Sequence, residues 1–121
     1  MSPGMKYKHY SPETKCKLVA CENELDQLFY MKKVISEFEG KIVIIGCNEH
    51  EEKLGQLVDA YLPIGPRNDL DEYARNIFTA LRYADNLKCN LILIEGVRKY
   101  GFGIAIMNRL LRTCEYDVIE R

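Results

Sequence analysis

Leu91, Ile92, Leu93 and Ile94 form an apolar run with no alternation. That pattern suits a strand covered on both faces, the central strand of a parallel sheet with helices above and below. Glu95 and Gly96 end the run, and Gly101 and Gly103 bracket Phe102 ahead of a second apolar stretch. In that stretch Ile104, Ala105, Ile106, Met107, Leu110 and Leu111 have helical spacing, with Asn108, Arg109 and Arg112 as a narrow polar stripe. A buried strand thus feeds a largely buried helix through a glycine turn, which is half of a βαβ unit. One strand cannot satisfy its own backbone groups, so the preceding chain must supply the others.

Earlier segments fill that need. Residues 15–21 begin with alternation and end apolar, as a first strand. Asn23 can cap a helix whose apolar face is marked by Leu25, Leu28, Phe29, Met31, Ile35 and Phe38, with Gly40 ending it. Lys41 to Gly46 is a second buried strand. Asn48 to Leu54 predicts one or two turns of helix too charged to enter the core. Leu57 to Ile64 predicts a third strand near an edge, because Asp59 interrupts it and Pro63 cannot donate to a ladder. Leu70, Tyr73, Ala74, Ile77, Phe78, Leu81 and Ala84 then follow the helical template closely. Asp69 and Glu72 are spaced as an acidic capping box, and Asp71 and Arg75 as an i,i+4 pair. The tail 115–121 reads as either a short strand or a loop. Strands alternating with helices imply right-handed crossovers and a mostly parallel sheet. The expected fold is α/β, a small Rossmann-like three-layer sandwich over residues 15–121, preceded by an extended arm over residues 1–14.

The arm is unusual. Pro3-Gly4 and Ser11-Pro12 punctuate it, yet Met5, Tyr7, His9 and Tyr10 between them are large side chains, where a solubilising tail would be rich in Ser and Gly. It is suited to lie on a surface, either a partner or its own domain.

Composition narrows the function classes. A length of 121 residues bounds the chain to one domain. The formal net charge of -1, with no run of like charges, gives no electrostatic reason for non-specific binding to nucleic acid or a membrane surface. No apolar stretch approaches the ~18 residues of a membrane span, and the first residues lack a secretory apolar block, so a cytoplasmic location is expected. The five cysteines are odd in number and scattered, with no C-x-x-C pair. They read as small buried hydrophobes in a reducing compartment, and no metal site is expected.

Candidate chemistry is sparse. No G-x-G-x-x-G follows the first or second strand, so the dinucleotide fingerprint is missing. Gly101 and Gly103 open a helix after a strand, where free amides could bind an anion helped by Asn108 and Arg109. The same glycines could equally serve a turn and close packing. Arg67, in the turn 65–69, carries the same two readings: anion contact or solvated charge. No catalytic constellation is apparent.

Three stretches resemble a known family. The opening SPGMKYKHYSP is similar to the interdomain linker of the two-domain threonylcarbamoyl-AMP synthases. Ile64 to Asp85 and Ile94 to Thr113 resemble the small C-terminal domain of those enzymes, the latter with its glycine-containing loop and A-x-x-N-R-L helix. The resemblance implies that Pro3, Gly4, Met5, His9 and Tyr10, with Tyr7 between them, form a lid over a YrdC-like catalytic domain absent from this sequence. It implies that the parent enzyme condenses threonine, bicarbonate and ATP, with Mg, into threonylcarbamoyl-adenylate for tRNA modification. This chain would then hold no catalytic residue and no cofactor of its own, and its partner would be the catalytic domain, in cis or as a separate chain. The alternative is a free-standing small-ligand or nucleotide-binding module using the carboxyl ends of its strands.

Overall fold

The computed structural model describes residues 12–97 and 101–121. The residues expected to form the lid lie outside them. Along the chain run β1 (Cys16–Ala20), α1 (Glu24–Glu37) and β2 (Ile42–Gly46). A 3-10 turn (Asn48–His50), the short α2 (Glu51–Leu54) and a second 3-10 turn (Gly55–Leu57) follow. The rest is β3 (Ala60–Pro63), α3 (Leu70–Asn86), β4 (Leu91–Glu95), α4 (Phe102–Thr113) and β5 (Val118–Glu120).

The five strands form one sheet in the order β3-β2-β4-β1-β5, and every neighbouring pair is parallel. β4 is the middle strand, as its unbroken apolar run predicts. All five of its residues are buried; each large aliphatic there contributes roughly 1.5–3 kcal/mol. Alternate residues serve opposite faces. Ile92 and Ile94 join Leu18, Val43 and Ile45 under α3 and α4, while Leu91 and Leu93 join Val19, Ile42 and Ile44 under α1. The result is the expected three-layer α/β sandwich. The tail resolves as an edge strand, and β3 is the opposite edge, as Asp59 and Pro63 suggest.

Several local expectations change. The buried face of α1 is Gln27, Leu28, Met31 and Val34, and Leu25 is 76% exposed and Phe29 58%. Gln27 takes a core position because the end of β1 needs partners: its amide accepts from Cys21 N–H (2.7 Å) and donates to the Val19 carbonyl (2.9 Å). The charged segment 48–54 does reach the core, through His50 and Leu54. Only half of α4 is buried: Ile106, Met107 and Leu110 face the sheet, but Ile104 is exposed. Its other face, with Ile104, Ala105, Asn108, Arg109 and Arg112, is exposed.

At α3, Asp69 Oδ1 accepts from the Glu72 amide (3.0 Å). The return half of the capping box is not formed, because the Asp69 amide donates to the Pro66 carbonyl instead. Arg75 meets Glu72 at 3.9 Å and not Asp71. The last two residues of the arm, Glu13 and Thr14, are tied to the far end of α3. Asp85 accepts from both of their amides and, at 2.7 Å, from the Thr14 hydroxyl.

Candidate functional site

Adjacent strands β1 and β4 send their chains in opposite directions. From β1 the chain passes through α1 to β2; from β4 it passes through α4, on the other face, to β5. Such a switch point opens a crevice beyond the carboxyl ends of the strands, where open α/β sheets bind ligands. A cavity of about 210 Å³ lies there, walled by Cys21 after β1, Cys47 after β2, Glu95 and Gly96 at the end of β4, and the 66–70 turn.

Glu95 on its wall belongs to a charged cluster that the sequence reading missed. Glu95 is 5% exposed and His50 2%. Glu95 Oε2 lies 2.7 Å from His50 Nδ1, and His50 Nε2 lies 2.7 Å from Glu24 Oε2 on the first turn of α1. Glu95 Oε1 accepts from the Cys47 amide at 3.0 Å. The Cys47 carbonyl accepts from the Tyr61 hydroxyl at 2.6 Å, and the Glu95 carbonyl from the Tyr73 hydroxyl at 2.7 Å. Among the described residues no buried side-chain nitrogen or oxygen lacks a partner.

These contacts set the protonation. A hydrogen bond with the Cys47 side chain, followed by that with Glu95, raises the His50 pKa from 6.5 to about 11, against the opposing effect of burial. The ring is therefore an imidazolium donating from both nitrogens. Its bond to Glu24 holds that carboxyl below the usual range. Burial, then the Glu95 charge, pushes the Tyr61 and Tyr73 phenols up, so both remain hydrogen-bond donors.

Carboxylates engage both ring nitrogens of His50, Nδ1 by Glu95 and Nε2 by Glu24. Cys47, His50 and Glu95 do present donor atoms within 4.8 Å of one another, the residue types of a zinc site. The His50–Glu95 spacing of 2.7 Å nevertheless matches a shared proton. Two ligands of a tetrahedral zinc with ordinary bond lengths stand about 3.3 Å apart. A Cys and a His three residues apart, followed by an acid at the end of a buried strand, were the available sequence signals.

Of the residues read as anion contacts, Arg67 reaches this cavity. Gly103, Asn108 and Arg109 belong to α4 and Gly101 precedes it; none of the four lines the cavity. Gly101 has φ 48°, a left-handed conformation that glycine adopts without penalty, and it caps α4. The Arg109 guanidinium lies 4.1 Å from the centroid of the Phe78 ring, a cation–π contact joining α4 to α3.

Comparison with known proteins agrees with this architecture. The family model described as the threonylcarbamoyl-AMP synthase C-terminal domain matches residues 1–114. The threonylcarbamoyl-AMP synthase of Pyrococcus abyssi is 35% identical over 123 residues, covering 98% of this chain and 33% of the relative. That of Bacillus subtilis is 34% identical, covering 99% and 34%. The chain thus spans about a third of the length of these curated relatives. The crystal structure of P. abyssi Sua5 complexed with L-threonine superposes with a TM-score of 0.79 at 32% identity, over 99% of this chain and 34% of that one. A separately crystallised C-terminal Sua5 domain from Pyrococcus horikoshii shares the fold at TM-score 0.68 and 24% identity, over 92% of this chain and all of that one. The chain belongs to the family of threonylcarbamoyl-AMP synthase C-terminal domains.

Proposed function

We propose that this domain is the accessory, regulatory part of a threonylcarbamoyl-AMP synthase and performs no catalysis alone. The observation that carries this reading is coverage: the chain matches the C-terminal family model almost end to end, yet it spans only about a third of its relatives. The parent reaction joins ATP, threonine and bicarbonate into threonylcarbamoyl-adenylate for tRNA modification, in the cytoplasm. ATP and Mg belong, in this reading, to a YrdC-like catalytic domain acting in cis or as a separate chain. The cavity described above supports that assignment, since about 210 Å³ lies below the ~300–1,000 Å³ of ordinary organic-ligand sites. No glycine-rich phosphate loop follows β1 either.

The arm supplies the link to the chemistry. Pro3, Gly4, Met5, Tyr7, His9 and Tyr10 are proposed to close over the catalytic cleft. A carbamate and an acyl-adenylate are both readily lost to water, and a lid that excludes water protects them. Anchoring of Glu13 and Thr14 on Asp85 supports a fixed point from which such an arm could reach. The test is pyrophosphate release from ATP with threonine and bicarbonate. The isolated chain should release none, whereas a protein also carrying the catalytic domain should. Turnover by the pure chain, lost on substituting its own residues, overturns the accessory reading.

A further inference from the structure

We propose that the cavity at the carboxyl ends of β1, β2 and β4 binds a small oxyanion, a short carboxylate or phosphate ester, through Arg67. This goes beyond an accessory role, since it gives the domain a ligand of its own.

The inference rests on which hydrogen-bonding capacity the cavity leaves unused. Glu95, the acid among the described lining residues, is occupied, and the acids beside Arg67 are engaged as well. Glu95 accepts from the Cys47 amide and from His50, and Glu24 accepts from the other nitrogen of His50. Glu49 accepts from the Arg67 backbone amide at 3.0 and 3.1 Å. The donor side is not occupied. Among the described residues that line the cavity, Arg67 is the cationic one, and its side chain is 24% exposed. Its one ion pair among the described residues is a long 3.9 Å contact from Nε to Glu24, whose same oxygen already bonds His50 at 2.7 Å. Among the described residues nothing occupies the terminal nitrogens of the guanidinium, whose fork geometry fits carboxylate and phosphate. The backbone clamp from Glu49 fixes the turn that aims Arg67, so little ordering is needed on binding.

Charge and size define the rest of the ligand. The imidazolium of His50 offsets Glu95 and Arg67 stands against Glu24, so recognition of an anion rests on the terminal nitrogens of Arg67 rather than on a net positive field. Leu70 and Val97 supply apolar wall for a short aliphatic body. A volume of about 210 Å³ corresponds to about seven waters at ~30 Å³ each, room for a ligand of about ten non-hydrogen atoms. A whole nucleotide is too large.

The experiment is an amide NMR titration of the 121-residue chain. The probes are butanoate, glycerol 3-phosphate and inorganic phosphate, with butylamine and butanol as controls. Anions should shift the Cys47, Gly96 and Val97 amides saturably, and the stronger of the carboxylate and phosphate arms identifies the source. Arg67→Gln should weaken the effective anion by about tenfold or more, as expected for loss of a charge-assisted pair, while Arg67→Lys keeps part of the affinity. Val97→Phe, which puts a larger side chain on the cavity wall, should block binding and stands in if Arg67→Gln perturbs the fold. Three results overturn the proposal: butylamine or butanol producing the same shifts, anion affinity unchanged in a folded Arg67→Gln or in Val97→Phe, or no saturable shift from any anion up to about 10 mM, where weak small-ligand sites fill. Pyrophosphate release is unaffected by these outcomes, so failure here leaves the accessory reading to its own test.

Discussion

His50 Nδ1 and Glu95 Oε2 lie 2.7 Å apart across 45 residues of sequence, joining the turn after β2 to the end of β4. The other ring nitrogen reaches Glu24, so one imidazolium ties the sheet to the start of α1. A buried ion pair with both partners fully hydrogen-bonded constrains geometry more than it adds stability, because desolvation offsets most of the attraction.

The first prediction concerns pH. The folded pKa of His50, about 11, lies above its unfolded value of 6.5. Its contribution to stability is therefore complete below pH 6.5, declines as pH rises, and is gone once pH passes about 11. Urea unfolding at pH 6 and pH 9 should show the lower stability at pH 9. The imidazole nitrogens should still be protonated by NMR at pH 9; a midpoint near 6.5 would refute the bridge.

Breaking the pair from one side should cost more than removing it. His50→Ala leaves Glu95 as a buried acid without its counter-charge, a loss of about 3–5 kcal/mol. The double variant His50→Leu/Glu95→Leu exchanges the pair for apolar volume and should be more stable than the single variant. Losses that simply add in denaturant unfolding of the two single variants and the double variant would mean the two side chains act independently.

Gly46 makes close approach possible at the end of β2. A Cβ added there would stand 2.5 Å from the Tyr61 hydroxyl and 2.9 Å from Glu95 Oε1. Gly46→Ala should therefore displace Tyr61 from the Cys47 carbonyl and destabilise by about 1–3 kcal/mol. Thermal unfolding measures the loss; an unchanged melting temperature contradicts the tight packing.

In a protein carrying the catalytic domain, replacing His9 and Tyr10 together by alanine should lower adenylate synthesis and leave both domains folded. Within the motif Pro3, Gly4, Met5, His9 and Tyr10 these are the bulkiest polar-tipped pair, able to pack and hydrogen-bond against a filled cleft. One adenylate assay and one melting curve decide it. Full activity with an unchanged melting temperature would make the arm a tether.

By itself, the sequence determined the layer architecture. The runs 42–45 and 91–94 have no alternation, so each strand needs cover on both faces. The helical spacing from Leu70 to Ala84 placed α3, and Asp59 with Pro63 marked an edge. The linker and the two later stretches carried the family. What only the tertiary structure decided is adjacency. Periods of two and 3.6 residues say which face of an element is apolar but not which strands are neighbours, and the order β3-β2-β4-β1-β5 came from packing. That order brings Glu24, His50 and Glu95 together from three separated segments. It also explains why Gln27, a polar residue, displaces Leu25 from the buried face of α1: the end of β1 needed its backbone groups satisfied.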